Sequence, residues 1–336
     1  MQNNGKRSRI YKVNQLLKKL YEELARARAL FFNNSFVGRI ILKQEIFYKR
    51  PRIIHIEPTN DCNIACRSCR RRFMNRKVGY MSFDLFTKIV DEAARIGDVH
   101  LELFGGGEPL MHPQFSEMLK YSTTKRDRLK DISFFTNGML LNKTIVNSIV
   151  KLEVDAITIS LDGIGYVNER LRRGSVYRVI EENLNYLLDA RGSKIKPHVI
   201  INATISDQTD KELMVLRQEW QNRLDRLQFS GMIDEPFRVL DIERARKWNP
   251  GYMQHKICPY PFSILTVQWN GDVSFCCEDV CGKGVIGNAL ESDLMGIWHG
   301  EKLKRIRKAI LAGNVDGIVL CNHCKIFNFR EFRLNS

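Results

Sequence analysis

The sequence predicts an α/β fold, a parallel sheet covered by helices, followed by a small cysteine-rich hairpin-and-helix segment. Three observations predict it. Short apolar runs alternate with longer stretches of helical periodicity between residues 52 and 220. The runs end on glycine, asparagine, serine or aspartate, the residues that turn a chain. Beyond them, cysteines bracket a tight-turn signal and return as a C-x2-C pair.

The first 51 residues read as a basic helical extension. Residues 1–52 hold thirteen Lys or Arg against three acids (Glu22, Glu23 and Glu45), hence +10 of the chain's formal +15. Val13, Leu16, Leu17, Leu20 and Leu24 recur along one helical face. Such a segment suits an anionic surface (membrane, nucleic acid or phosphorylated substrate) or a helix packed outside the core with its basic residues solvated. Single-strand nucleic-acid stacking is not indicated.

The alternating run Arg52-Ile53-Ile54-His55-Ile56-Glu57 predicts the first strand. Val99 to Phe104, Ile132 to Thr136, Ala156 to Ser160 and His198 to Thr204 predict further strands. Between them, Phe83 to Ile96, Pro113 to Tyr121, Lys143 to Leu152, Val176 to Leu188 and Thr209 to Trp220 carry helical periodicity. Polar and glycine residues gathered at strand C-termini are where barrels of this kind place their sites. Later, Phe262 to Gln268 and Asp272 to Phe275 flank Asn270-Gly271, a hairpin signal. Leu290 to Ile310 reads as a loop and a basic helix with an apolar face.

The first strand runs into Asn60-Asp61-Cys62-Asn63-Ile64-Ala65-Cys66-Arg67-Ser68-Cys69, a C-x3-C-x2-C loop. Three thiolates without a nearby fourth are an odd set for zinc, which closes a tetrahedron with four ligands. They suit a [4Fe–4S] cluster with three irons held by protein and one open to a small molecule. Buried free thiols, or a zinc site completed from afar, are the alternatives. The adjoining Arg70-Arg71-Arg72 faces an anionic substrate or solvent. A second glycine-rich strand end, Gly105-Gly106-Gly107-Glu108, follows about 35 residues later. Glycines allow close backbone approach, and a carboxylate pairs with an ammonium group.

Loop and glycine motif together resemble the radical S-adenosylmethionine (radical SAM) enzymes. The resemblance implies a partial (β/α)6 TIM-like barrel over residues 52–250, with Cys62, Cys66 and Cys69 on a cluster whose open iron binds S-adenosylmethionine. It further implies that Gly106, Gly107 and Glu108 hold the methionine amine, and that Ser160 and Asn202 contact the cofactor's carboxylate or ribose. Strand-end capping is the competing role for the last two. The implied chemistry is reductive cleavage of the cofactor to a 5′-deoxyadenosyl radical that takes hydrogen from substrate, with an electron donor such as flavodoxin or ferredoxin.

Residues 251–336 resemble the SPASM/twitch extension of that family. Cys258, Cys276, Cys321 and Cys324 would ligate one auxiliary [4Fe–4S] cluster, with Gly271 and Cys276 satisfying G-x4-C. Longer SPASM forms have further cysteines in the last segment, and this chain has none after Cys324. Cys277 and Cys281 remain. Cys277 can replace Cys276, either can donate hydrogen to a substrate radical, or both are structural. An auxiliary cluster with four thiolates suits accepting or relaying an electron, so the expected activity is small-molecule oxidation, on a sugar or aminocyclitol. The alternatives are maturation or epimerisation of a ribosomally made peptide and, in another class, a basic metal-binding scaffold for nucleic acid. No signal peptide or membrane-crossing run is visible, and the thiols are spaced for clusters. Disulfides are therefore not expected, and a cytoplasmic location, peripheral to the membrane if the basic segment binds there, is.

Overall fold

The computed structural model describes residues 48–231, 233–234, 238–239, 242–249, 257–322 and 324. The helix expected within residues 13–24 lies outside them.

The six strands that build the frame are β1 (Ile53–Ile56), β2 (His100–Leu103), β3 (Asp131–Thr136), β4 (Ala156–Ser160), β5 (His198–Ile205) and β6 (Arg226–Gly231). They pair in that order and all in parallel. Parallel neighbours need crossovers, and helices supply them: α1 (Phe83–Ile96), α2 (Phe115–Thr123), α3 (Lys143–Lys151), the short α4 (Tyr166–Leu171), α5 (Tyr177–Arg191) and α6 (Asp210–Trp220). This is the α/β architecture expected, a partial barrel.

Local chemistry sets the boundaries. Ser82 caps α1 by accepting from Leu85 N, and Asn142 caps α3 by accepting from Ile145 N. Thr209 and Glu212 form a reciprocal capping box on α6. The core lies between strands and helices. Ile54, Ile56, Leu101, Leu103, Ile132, Phe134, Ile157, Ile159, Val199 and Ile201 are fully buried on the helix-facing side. The intervening residues His55, Glu102, Ser133, Thr158 and Asn202 occupy the other face, as the two-residue strand period requires.

The sequence reading missed β6. Its Arg-Leu-Gln-Phe-Ser-Gly composition carries little strand signal, and pairing along β5 creates the strand. The C-terminal hairpin, β7 (Ile264–Val267) and β8 (Asp272–Ser274), forms as expected around Gly271, whose φ of +88° suits glycine. A third strand, β9 (Val285–Asn288), pairs antiparallel with β8. The hairpin does not stand apart: β7 pairs in parallel with β1, so the cysteine-rich segment extends the same sheet to nine strands. After α7 (Ile242–Trp248), helices α8 (Leu294–Trp298) and α9 (Glu301–Ala312) follow, the last two separated by a break at Gly300.

Candidate active site

All three cysteines of the first motif lie in the loop after β1 and close enough for their charges to interact. The loop is fixed by its own polar residues. Asn60 donates to Lys77 O and accepts from Gly79 N, and Asp61 Oδ1 accepts from Cys62 N. A two-residue bridge, Ala65–Cys66 with Arg172–Arg173, ties the loop to the segment after α4. Burial raises the Cys62 thiol and lifts that of Cys66 to about 12, against the opposing pull of Arg172. A cationic centre bound to these thiols would favour their ionised form.

The glycine motif packs directly against this loop. A Cβ on Gly107 would stand 2.2 Å from Asp61 O and 2.5 Å from Thr59 O. A Cβ on Gly105 would stand 2.5 Å from the Glu57 side chain. Gly106 N donates to Glu57 Oε2 at 2.8 Å. Glu57 itself is buried and paired with Arg76 through both carboxylate oxygens, at 2.9 and 2.8 Å. The glycines are thus required by close packing at the end of β1, besides any ligand they approach.

Glu108 is 2 % exposed. Its carboxylate accepts from Thr136 Oγ1 (2.8 Å), Asn137 N (2.7 Å) and Leu110 N (3.2 Å). It therefore joins the glycine motif to the end of β3. Asn137 in turn donates to Asn63 Oδ1 at 2.7 Å and reaches Cys62 Sγ at 4.0 Å. Burial raises the Glu108 carboxyl to about 7, with its three donors working in the opposite direction.

Ser160, the last residue of β4, is the register partner of Asn202 in the middle of β5. Both are half-buried, and Asn202 Oδ1 accepts from Ser230 Oγ at 2.7 Å. Nearby, buried Asp162 pairs with buried Arg172 at 2.8 Å and accepts from Thr204 N. Arg172 Nη1 reaches Cys66 Sγ at 3.8 Å. Sequence reasoning missed Arg172, because a run of arginines after a short helix reads as a solvated face. Of Arg70-Arg71-Arg72, the first is buried against Glu278 at 3.1 Å, and the second donates to Asn60 O and Asp61 Oδ1. Arg72 donates to Arg67 O and covers the Phe73 ring. The run is built into the loop and does not line up toward an anionic ligand.

A second thiol group forms around Cys258. Cys258, Cys276, Cys277 and Cys321 have thiols raised chiefly by burial, with repulsion from neighbouring thiolates adding to it, or from Glu278 and Glu102 in the case of Cys277. The ionised forms of Cys321, Cys324 and Cys277 all act on Cys258, and those of Cys277 and Cys258 act on Cys276. Cys276 and Cys277 thus both stand by the group. Cys281 donates to Phe73 O at 3.2 Å. Among the described residues, no three Cys, His, Asp or Glu side chains converge on a point that a single metal ion would fill. A tetrahedral zinc would need sulfurs roughly 3.8 Å apart, whereas the ligands of a four-iron cluster bind separate irons. The all-thiol donor sets fit iron–sulfur clusters.

Comparison with known proteins decides the family. The model of the radical SAM superfamily matches residues 56–218, and that of the SPASM iron-sulfur cluster-binding domain matches residues 258–325.

The chain belongs to the radical SAM superfamily.

Its C-terminal segment is a SPASM domain, and the two imply a SAM-binding [4Fe–4S] cluster and auxiliary iron–sulfur binding. Among curated relatives, a tungsten-containing aldehyde ferredoxin oxidoreductase cofactor-modifying protein of Pyrococcus furiosus is 24% identical over 294 residues, covering 75% of this chain and 82% of that protein. Mycofactocin maturase MftC of Mycolicibacterium smegmatis is 27% identical over 308 residues, covering 82% and 78%. Among solved structures, Streptococcus suis SuiB bound to precursor peptide SuiA superposes with a TM-score of 0.66 at 18% identity, over 80% of this chain and 69% of that one. BtrN in complex with AdoMet and 2-DOIA gives 0.55 at 18%, over 82% and 93%. The structural likenesses speak for the fold. No helix among the described residues is long and apolar enough to cross a membrane.

Proposed function

We propose that this radical SAM enzyme is a maturase that modifies a ribosomally made peptide. The observation that carries the reading is the alignment with MftC, a maturase, across 82% of this chain. The fold shared with a protein bound to its precursor peptide adds support. Both weigh against sugar or aminocyclitol dehydrogenation as the activity.

In this reading Cys62, Cys66 and Cys69 hold the SAM-binding cluster, and Cys258, Cys276, Cys321 and Cys324 hold one auxiliary cluster. When bound, the first supplies reductive cleavage of S-adenosylmethionine and hence a hydrogen-abstracting radical. The protein's own residues position that chemistry. The backbone of Gly106 and Gly107, with Ser160 and Asn202, lines the cofactor site at the strand C-termini. Glu108 fixes the strand end that carries Asn137, and the Arg172–Asp162 pair braces the cluster loop from the other side. A ferredoxin or flavodoxin is the proposed reductant.

The test is anaerobic incubation of the reconstituted chain with reductant, S-adenosylmethionine and short peptides encoded beside its gene. The expected result is a mass change in one peptide, matched by 5′-deoxyadenosine. Unchanged peptides with an oxidised sugar or aminocyclitol would restore the small-molecule reading. Zinc at one atom per chain and no cofactor cleavage would favour a metal-binding scaffold. A second enzymatic reading, modification of another enzyme's metal cofactor, draws on the Pyrococcus relative, 82% of which aligns. It predicts that no peptide changes mass while an added cofactor precursor does.

A further inference from the structure

The inner face of the sheet carries a row of polar residues outside the proposed cofactor site. Thr266 on β7, His55 on β1, Glu102 on β2 and Ser133 on β3 are successive register partners, one row across four adjacent parallel strands. His55 Nε2 meets Glu102 Oε2 at 2.9 Å. One row closer to the N-terminal ends, His100 of β2 and Asp131 of β3 are register partners, with Nδ1 and Oδ2 at 2.5 Å. The two histidine–carboxylate pairs differ in exposure. His55 is 5 % exposed, and its Nδ1 is buried without a hydrogen-bond partner, as is Thr266 Oγ1 beside it. The side chains of His100 and Asp131 are 31% and 33% exposed.

An unsatisfied buried imidazole nitrogen is costly, and an apolar row would pack here without that cost. Phe104 already covers the His55 ring, with centroids 5.2 Å apart. On β2, His100 and Glu102 share a face two residues apart, roughly 6.6 Å along the strand. One or two waters would span such a gap. The line therefore has a dry, orphaned inner end and a wet outer end. The inner end lies toward the auxiliary segment, where the charge of Glu102 acts on Cys277.

We propose that His55–Glu102 and His100–Asp131 form a proton line that delivers a proton from solvent, at the N-terminal mouth of the barrel, to the neighbourhood of the auxiliary centre whenever that centre gains an electron. The balance is one electron onto the auxiliary iron–sulfur cluster and one proton onto His55, so no net charge is added to the buried region. The proton passes from solvent to His100, then through water to the Glu102–His55 pair. In turnover the electron comes from the substrate radical, a step that rests on the oxidative reading of the auxiliary cluster. A chemical reductant can supply it equally. The charged and titratable groups around His55 are few. Glu102 faces it from β2, and β7 presents only Thr266. Glu57, two residues on, is committed to Arg76. Tyr260, Cys277 and Glu278 belong to the auxiliary segment, with Glu278 held by Arg70.

The experiment is an EPR-monitored redox titration of the full reconstituted chain, without substrate, between about pH 5.5 and 8.5. The auxiliary centre's potential should become more negative as pH rises, because less proton is available to accompany the electron. His55→Gln should lose that dependence while keeping both EPR signals. His100→Gln, at the exposed end and so tolerant of change, should keep the equilibrium dependence but slow photoreduction of the auxiliary centre several-fold. A pH-independent potential in the unaltered chain, or an unchanged slope in His55→Gln, would overturn the proposal. So would the absence of a second cluster. If His55→Gln fails to fold, undiminished photoreduction in His100→Gln overturns it alone. Because no substrate is present, a failed peptide assay and a failed proton line are separate results.

Discussion

Glu108 offers a prediction in which two opposing effects can be weighed. Burial raises its carboxyl to about 7 from an ordinary 4.5. The folded chain therefore keeps this proton at pH values where the unfolded chain has lost it. Stability from this group is fully present below about pH 4.5, falls as pH rises toward 7, and stays at its lower level above that. The whole fall is about 3 kcal/mol, at about 1.4 kcal/mol per pH unit. Glu108→Gln removes the titration. Its amide accepts on one side only, so either Leu110 N or Asn137 N is left facing an NH2 group. That orphaned donor costs about 1–3 kcal/mol at any pH. The variant should thus be less stable than the parent at pH 5 and approach or exceed it at pH 8, the gap moving by about 2–3 kcal/mol. Urea unfolding of the iron-free chain, followed by tryptophan fluorescence at several pH values, reads the gap. A constant gap would show that the carboxyl is not raised. A gap that widens as pH rises toward about 4.5 and is flat above it would show that the three donors outweigh burial.

Two further substitutions probe the same corner. Arg76→Met leaves buried Glu57 without its bidentate partner and should cost about 3–5 kcal/mol in the same unfolding experiment; less than about 1 kcal/mol would mean that Glu57 is solvated or protonated there. Gly107→Ala places a methyl against two backbone carbonyls of the cluster loop and should lower iron retention at the first site while leaving the auxiliary iron in place. Full iron at both sites would show that the loop can move aside.

Much of this was legible in the chain. The helix Phe83–Ile96 and the strand Ala156–Ser160 fall where periodicity puts them, because each buries one face against a neighbour. The cysteine loop at the end of β1 was legible because spacing within ten residues is local information. What was not legible depends on distant partners. Arg70 and Arg172 look like surface charges until Glu278 and Asp162 are placed beside them. Glu57 is an ordinary strand end until Arg76 and Gly106 converge on it. Strand β6 and the joining of β7 to β1 follow from sheet pairing, which no run of residues encodes by itself. The row His55–Glu102 and its neighbour His100–Asp131 likewise needs the register.

The central claim is that two separate sets of cysteines hold two iron–sulfur centres, one of which cleaves S-adenosylmethionine. Iron and sulfide analysis, paired with 5′-deoxyadenosine production under strong reductant, tests it directly. The parent should hold about eight irons, two four-iron clusters. Cys62→Ala/Cys66→Ala/Cys69→Ala should keep about half the iron and make no 5′-deoxyadenosine. Cys321→Ala/Cys324→Ala, folded by circular dichroism, should still make it. A triple variant that retains all its iron, or that still cleaves the cofactor, would contradict the account.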